Sequence, residues 1–184
     1  DQVAALTTAQ VAVLSVKQLR AITGDSITGL DEAQLQKLST SQLTGLTNDQ
    51  IIALNWNQLA ALNESQIAAL RPTQISAIET ADISGLTESQ ISALVQKQVK
   101  ALTTSQMAQL SSDQIAAIET QDLRVVSYKQ INALDAGQID ALSLDQIMAL
   151  TGKQLKSMSV DLLSAMSVEQ LEMFSDAQQA ALTL

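Results

Sequence analysis

A period of eight residues runs through the whole chain without an insertion or a deletion. Glutamine occupies 19 of the 23 positions reached by stepping in eights from Gln2. The next position is Val, Ile, Leu or Met at 22 of 23 sites, and the position from Leu6 to Leu182 is apolar at all 23. The unit is [ST]-x-x-Q-[IVL]-x-A-L, and 23 copies account for the 184 residues. Self-similarity of this kind is typical of a repeat architecture.

The period is incompatible with one continuous helix. Eight residues of α-helix rotate through roughly 800°, about 80° more than two turns, so the apolar stripe would wind around the helix. Coiled coils need hydrophobic periods near about 3.5 or 3.67 residues, and eight supplies neither. The helix must therefore end and restart in every octet.

The restart signal is present in nearly every octet. In the first one, Thr7 and Gln10 have the spacing of a capping box, in which each side chain hydrogen-bonds the other residue's N–H. Leu6 and Val11 flank this box as a hydrophobic staple. The chain's one proline, Pro72, falls at the first helical position, which proline favours. Each octet is thus predicted to be a short, capped helix.

Such a helix cannot be stable alone, because isolated helices shorter than about 12 residues are marginal. Stacking against neighbouring octets would merge the aliphatic columns into one core. We therefore predict an all-α solenoid, or superhelix, of very short helices, one per eight-residue repeat. The small residue before the last Leu of the octet, such as Gly29, Gly45 or Gly85, would let another backbone approach. A β-solenoid with two octets per coil is the alternative, but glycine is scarce and Ala, Leu and Gln favour helix.

Composition excludes several classes of function. Without histidine or cysteine, no Ser-His or Cys-His nucleophile and no thiolate or imidazole metal site can form. We therefore expect no enzyme, no catalytic residue, no cofactor and no metal. The net charge of −9 and the scattered lysines argue against nucleic-acid binding. No apolar run is long enough for a transmembrane segment.

Two interruptions of the glutamine column match each other and lie 40 residues apart. They are Glu79-Thr80-Ala81-Asp82 and Glu119-Thr120-Gln121-Asp122. In one interpretation aspartate replaces glutamine as an alternative cap. In the others the two acidic pairs form a surface feature that recurs with the turn, or a weak cation site. No EF-hand spacing supports calcium.

The three aromatic residues are candidates for contact with a partner. Trp56 and Tyr128 fall at the first helical position of their octets, where we expect partial exposure. Phe174 lies among bulky replacements near the end of the sequence, with Met158, Met166 and Met173. These bulky residues would either cap the core or form an end-to-end contact.

The repeat also resembles a known family. Runs such as LTTAQVAVL (6–14), LTNDQIIAL (46–54) and LTESQISAL (86–94) resemble the LTTxQIAAL arrays of very long, mainly proteobacterial, repetitive proteins. The resemblance covers all 23 octets and implies a secreted or cell-surface, adhesin-like or matrix-like protein. It supplies no catalytic or ligand residue.

These observations predict one repeat domain over residues 1–184, forming part of a longer chain. The expected function is structural: a stalk, spacer or filament subunit of the bacterial surface or extracellular matrix that self-associates into filaments or through end-to-end contacts. The alternative is a solenoid binding module whose groove takes a protein, peptide, glycan or surface.

Overall fold

A computed structural model describes residues 2–182, which contain 21 α-helices, one 3-10 helix and no strand. The predicted all-α solenoid of short helices is confirmed. The chain divides into two compact units, one up to Leu94 and one from Val95. The helices of the first unit are α1 Thr8–Ala12, α2 Val16–Arg20, α3 Gly24–Ile27, α4 Glu32–Gln36, α5 Thr40–Gly45, α6 Asn48–Ile52, α7 Trp56–Ala60, α8 Glu64–Ala69, α9 Pro72–Ile75, the 3-10 helix Ile83–Gly85 and α10 Glu88–Ser92.

The second unit continues the same spacing. Its helices are α11 Gln96–Ala101, α12 Thr104–Gln109, α13 Ser112–Ala116, α14 Thr120–Leu123, α15 Tyr128–Ile131, α16 Ala136–Asp140, α17 Leu144–Ala149, α18 Gly152–Lys156, α19 Val160–Ser164, α20 Val168–Glu172 and α21 Asp176–Leu182. The α-helices are thus four to seven residues long, one to an octet.

The predicted capping boxes form at most helix starts. In α1 the Gln10 N–H donates to Thr7 Oγ1 at 3.2 Å, and the Thr7 N–H donates to Gln10 Oε1 at 2.7 Å. Arg71 and Val95 have no side-chain acceptor at the cap, and their octets keep the glutamine half of the box alone. Pro72 occupies the first position of α9, as predicted. The cap column therefore sets where each helix begins.

The glutamine side chain has a second role that the octet pattern does not reveal. Gln66 accepts the Asn63 N–H at 2.9 Å through Oε1, while its Nε2 donates to the carbonyls of Leu35 at 3.0 Å and Leu38 at 2.8 Å. These carbonyls lie 31 and 28 residues earlier, in the octet four repeats back. One buried side-chain amide thus hydrogen-bonds both the start of its own helix and the end of another.

The same bonds recur in both units, and we call them the glutamine ladder. Its donors are Gln34, Gln42, Gln50, Gln58, Gln66, Gln74 and Gln90 in the first unit, and Gln130, Gln138, Gln146, Gln154, Gln170 and Gln178 in the second. All of them are buried. A hydrogen-bonded amide can be buried without the cost of an unsatisfied one.

The glutamine ladder also explains how the helices end. Helices commonly stop at a residue with positive φ, whose N–H binds the last carbonyls. No described residue has positive φ. Instead, at many helices, such as α5 and α14, the glutamine amide from the octet four repeats later binds carbonyls near the helix end. The helix end therefore depends on a long-range contact.

Two aliphatic columns form the core. Inside each unit, helices three octets apart pack together, as α2 does with α5 and α15 with α18. The ladder bonds join octets that are four apart. Within each unit, one turn of the superhelix therefore takes between three and four octets. The residue after each glutamine and the last residue of the octet are buried through most of both units, as in Ile67 and Leu70 or Ile147 and Leu150.

Candidate functional site

In the first interruption of the glutamine column, Asp82 hydrogen-bonds the backbone of Trp56. Asp82 precedes the 3-10 helix that replaces an α-helix in this octet, and its Oδ1 accepts the Trp56 N–H at 3.0 Å. This N–H is the first of α7, where a carboxylate is electrostatically favoured. Asp82 thus contacts the start of a helix 26 residues earlier rather than capping its own octet.

Gly85 makes the second contact with Trp56. A Cβ at Gly85 would lie 2.6 Å from the Trp56 carbonyl oxygen and 2.8 Å from its Cα, distances that only glycine tolerates. The expected close approach at a small residue is confirmed here against a backbone. The indole itself is 55% exposed. The octet from 79 to 86 therefore holds an exposed aromatic residue on a fixed backbone.

An acidic depression lies beside this tryptophan. It has a volume of about 560 Å³ and is lined by Thr23, Gly24, Asp25, Asp49, Ile52, Ala53, Asn55, Glu79 and Asp82. Four of these residues carry carboxylates, and Ile52 among them is 41% exposed. Among residues 2–182, no group of three or more acidic side chains is close enough together to hold a metal ion. The depression thus combines four acidic side chains with an exposed apolar one.

Tyr128 occupies the same helix position in the second unit as Trp56 does in the first. The charged residues beside Tyr128 are basic, whereas those beside Trp56 are acidic. Its side chain is 41% exposed and begins α15. A cleft of about 260 Å³ beside it is lined by Arg124 and Lys153, with no acidic residue among its walls. The two candidate contact residues therefore share a position in the octet but have different electrostatic surroundings.

Phe174 is placed differently from the other two aromatic residues. It lies in the last column of its octet and is 5% exposed, so the ring belongs to the core. Met158 and Met166 in the same column are also buried, whereas Met173 is 36% exposed. The partner-contact prediction for Phe174 thus falls on a buried ring, as the core-capping interpretation requires.

The second interruption leaves a buried acid. Asp122 is 3% exposed and its Oδ1 has no hydrogen-bond partner among the described residues. Burial raises the pKa of the Asp122 carboxyl, and the negative charge of Glu119 raises it further. The two interruptions match in sequence but not in contacts, because Asp82 has the Trp56 N–H and Asp122 Oδ1 has nothing comparable.

A third departure, Leu162, has a replacement for its missing glutamine. Asn132 Oδ1 accepts the Ser159 N–H at 2.9 Å, the bond that a glutamine at position 162 would accept. Asn132 Nδ2 also donates to the Ser157 carbonyl at 2.6 Å. Sequence reasoning missed this role. The available signal was the coincidence of a leucine in the glutamine column with Asn132, 30 residues earlier, which is the one asparagine in the sequence after residue 94.

Comparison with known proteins supports a repeat array. A family model described as the ALTTAQ repeat matches residues 75–112 and 115–152. A search of curated proteins finds no match. Between residues 2 and 182, no helix has the length and apolar content that a membrane span requires.

Proposed function

We propose that this chain is a structural spacer of the bacterial cell surface or extracellular matrix, and not an enzyme. The carrying observation is the glutamine ladder, in which the same pair of carbonyls and the same amide recur from turn to turn. A chain built this way can be lengthened by whole octets without altering any existing contact. Length is the property that a stalk or spacer needs to vary.

The composition supports the same proposal. A chain without histidine and cysteine lacks the usual nucleophile and general-base pairs. The side chains most strongly fixed by contacts are the ladder glutamines, and a glutamine amide neither gains nor loses a proton near neutral pH. The buried polar groups are therefore suited to holding turns together rather than to proton transfer.

The spacer function can be tested by small-angle scattering on chains from which four octets have been removed or to which four have been added. We expect the largest dimension to change by the same increment for every four octets. Immunolabelling of intact producing cells tests the location. A dimension that stays constant, or a protein reached only after lysis, contradicts the proposal.

The alternative function, a binding module, is favoured by one surface. Trp56 is exposed, anchored by Asp82 and Gly85, and lies beside the acidic depression. Anchored aromatic residues are frequent hot spots at interfaces, and the four carboxylates favour a basic peptide. Because the chain has one tryptophan, its fluorescence reports on this surface directly.

Titration with a lysine-rich amphipathic peptide tests this alternative. We expect a saturable shift of Trp56 emission that weakens when Asp49 is replaced by Asn. Tyr128→Ala serves as the control because Tyr128 is exposed in a basic setting, and it should leave the titration unchanged. An unchanged emission spectrum across the titration removes the alternative.

A further inference from the structure

One ladder bond of the second unit brings two cations to the same cleft. Gln154 Nε2 donates to the Leu123 and Val126 carbonyls, both at 2.7 Å. Lys153 immediately precedes this glutamine, and Arg124 immediately follows Leu123. The bond therefore holds the backbone of Lys153 close to the backbone of Arg124, and both residues line the cleft beside Tyr128.

A second ladder bond has cations at the equivalent positions. Gln130 Nε2 donates to the Val99 carbonyl at 3.2 Å and to the Leu102 carbonyl at 2.8 Å. Lys129 immediately precedes Gln130, and Lys100 immediately follows Val99. At every other glutamine of the ladder, these two positions together hold at most one cation. The arrangement is therefore a local feature of the second unit.

The two pairs of cations are related by one turn of the superhelix. Helix α11 packs on α14, and α15 packs on α18. Lys100 and Arg124 occupy the same octet position in the first two helices' octets, as Lys129 and Lys153 do in the other two. We call these four residues the basic stripe. Helix α14 also packs on α17, α15 on α12 and α18 on α21, so these helices have the neighbours of an interior turn.

The charge of the basic stripe is not neutralised by neighbouring carboxylates. All four side chains are exposed. Across residues 2–182, none of them forms an ion pair with an acidic side chain, and no acidic residue lines the cleft that Arg124 and Lys153 share. In a chain with a net charge of −9, this surface is a local site of positive potential that attracts anions.

The cleft at Tyr128 suits a ring that carries a carboxylate. Its volume of about 260 Å³ is smaller than a typical pocket for a drug-sized ligand, so it admits one ring-sized group. A guanidinium such as that of Arg124 matches a carboxylate with two parallel hydrogen bonds. The Tyr128 ring is 41% exposed and offers an apolar face with a polar tip. The Ser127 and Thr151 hydroxyls also line the cleft.

We propose that the basic stripe binds an acidic polysaccharide whose sugars carry carboxylates, with one sugar in the cleft at Tyr128. Two pairs of cations related by one turn can hold successive parts of one extended polymer, and such linked contacts strengthen each other. Carboxylates fixed on sugar rings lose less conformational freedom on binding than those of a flexible acidic peptide. The inference rests on the proposed location in the matrix and deepens it by naming the component that is bound.

Isothermal titration calorimetry with polygalacturonate, and with uncharged dextran for comparison, tests this binding. We expect saturable binding of polygalacturonate alone, which weakens strongly near 1 M salt, where the screening length falls to about 3 Å. Arg124→Gln with Lys153→Gln should bind at least about tenfold more weakly with unchanged helicity. Tyr128→Ala should also bind more weakly. An unchanged affinity in either variant overturns the assignment of the cleft.

A charge-matched control separates the basic stripe from net charge. Lys17→Gln with Arg20→Gln removes one lysine and one arginine from exposed positions of α2 in the first unit. This control should bind polygalacturonate like the parent, because its basic stripe is intact. Equal weakening by the control and by the Arg124 and Lys153 variant overturns the proposal.

Two other polyanions test the choice of partner. At equal concentrations of negative charge, polyglutamate and double-stranded DNA should bind the parent more weakly than polygalacturonate does. Equal or tighter binding of either polymer overturns the assignment to a polysaccharide, and a lack of polygalacturonate binding overturns the site itself. The spacer function survives these results, since its test depends on length rather than on binding.

Discussion

At the scale of the residue, the side chain of a ladder glutamine makes several hydrogen bonds. In Gln154 the oxygen accepts the Thr151 N–H at 2.7 Å, and the amide donates to the Leu123 and Val126 carbonyls, both at 2.7 Å. Neither glutamate nor asparagine can replace it, because the first lacks the donor and the second is shorter by one methylene. This explains why the column is nearly invariant along the chain while its neighbours vary.

The Asn132 contact makes a prediction about coupling. Replacing Asn132 with Ala should destabilise the chain by about 0.5–1.5 kcal/mol, because the Ser159 N–H loses its acceptor. In a Leu162→Gln background the same replacement should cost much less, since the introduced glutamine would accept that N–H. A double-mutant cycle by chemical denaturation measures the difference. Additive effects would show that Asn132 does not substitute for the glutamine.

Asp122 makes a prediction about pH. Its pKa is raised in the folded state, so the folded chain holds this proton more tightly than the unfolded chain. The free energy of unfolding therefore falls as pH rises from the ordinary aspartate pKa through the raised one. Asp122→Asn should raise the melting temperature at neutral pH and have little effect below the ordinary pKa.

Thermal unfolding followed by circular dichroism across this pH range measures the effect. Asp82→Asn is the matched control, because Asp82 has the Trp56 N–H as a partner. The control should give no gain in stability at neutral pH. A benefit from Asp122→Asn that is the same at every pH would rule out the raised pKa as its cause.

At the scale of the element, each helix is too short to persist by itself and is specified at its two ends. The start is local, because a Ser, Thr, Asp or Asn and the glutamine three residues later lie in one octet. Where the glutamine ladder is present, the end is specified at a distance, because it depends on an amide from the octet four repeats later. A start could therefore be predicted from the sequence, and Pro72 and Thr7 confirm it.

The helix ends and the number of octets in each turn could not be predicted from the sequence. The octet period fixes where helices begin, but the angle between successive helices accumulates over several junctions and decides which octets meet. The 3-10 helix at 83–85 and the Asn132 bonds were missed for the same reason. Trp56 and Tyr128 were placed correctly at helix starts, whereas the burial of Phe174 depends on how the last turn packs.

Two glycines make a matched prediction. Gly85→Ala should destabilise the chain by more than about 1 kcal/mol, because the new Cβ would lie 2.6–2.8 Å from Trp56 backbone atoms that cannot move freely. Gly137→Ala, inside α16, meets nothing closer than 3.4 Å. It should stabilise by about 0.5–1 kcal/mol, because alanine is the better helix former.

Urea denaturation of both variants measures this difference. The fluorescence of Trp56 should also change in Gly85→Ala and remain as in the parent in Gly137→Ala. Equal stability of the two variants would show that the close approach at Gly85 carries no structural constraint.

At the scale of the whole molecule, identical contacts repeat at a fixed separation, so phase matters more than length. Removing residues 103–110 deletes one octet and lies outside the Trp56–Gly85 and Asn132–Ser159 contacts. The remaining glutamines then still find carbonyls 28 and 31 residues earlier, the separations seen throughout the ladder. We expect this deletion to change the free energy of unfolding by about one repeat's contribution.

Removing residues 103–106 is the matched comparison. Four residues put caps, core columns and ladder out of phase, so we expect loss of cooperative unfolding in the second unit. Circular dichroism during thermal unfolding distinguishes the two deletions. A four-residue deletion that melts like the octet deletion would contradict the ladder as the organising contact.

The ladder bonds have a constant sequence separation, and this also affects how the chain folds. Closing a loop costs entropy that grows with its length, and proteins with distant contacts fold slowly. Every ladder bond spans 28 to 31 residues wherever it lies, so lengthening the array leaves the mean loop unchanged. The bond from Gln34 to the Leu6 carbonyl, for example, spans 28 residues. A stretch of about five octets is therefore long enough to close a ladder bond, and each further octet closes a loop of the same length.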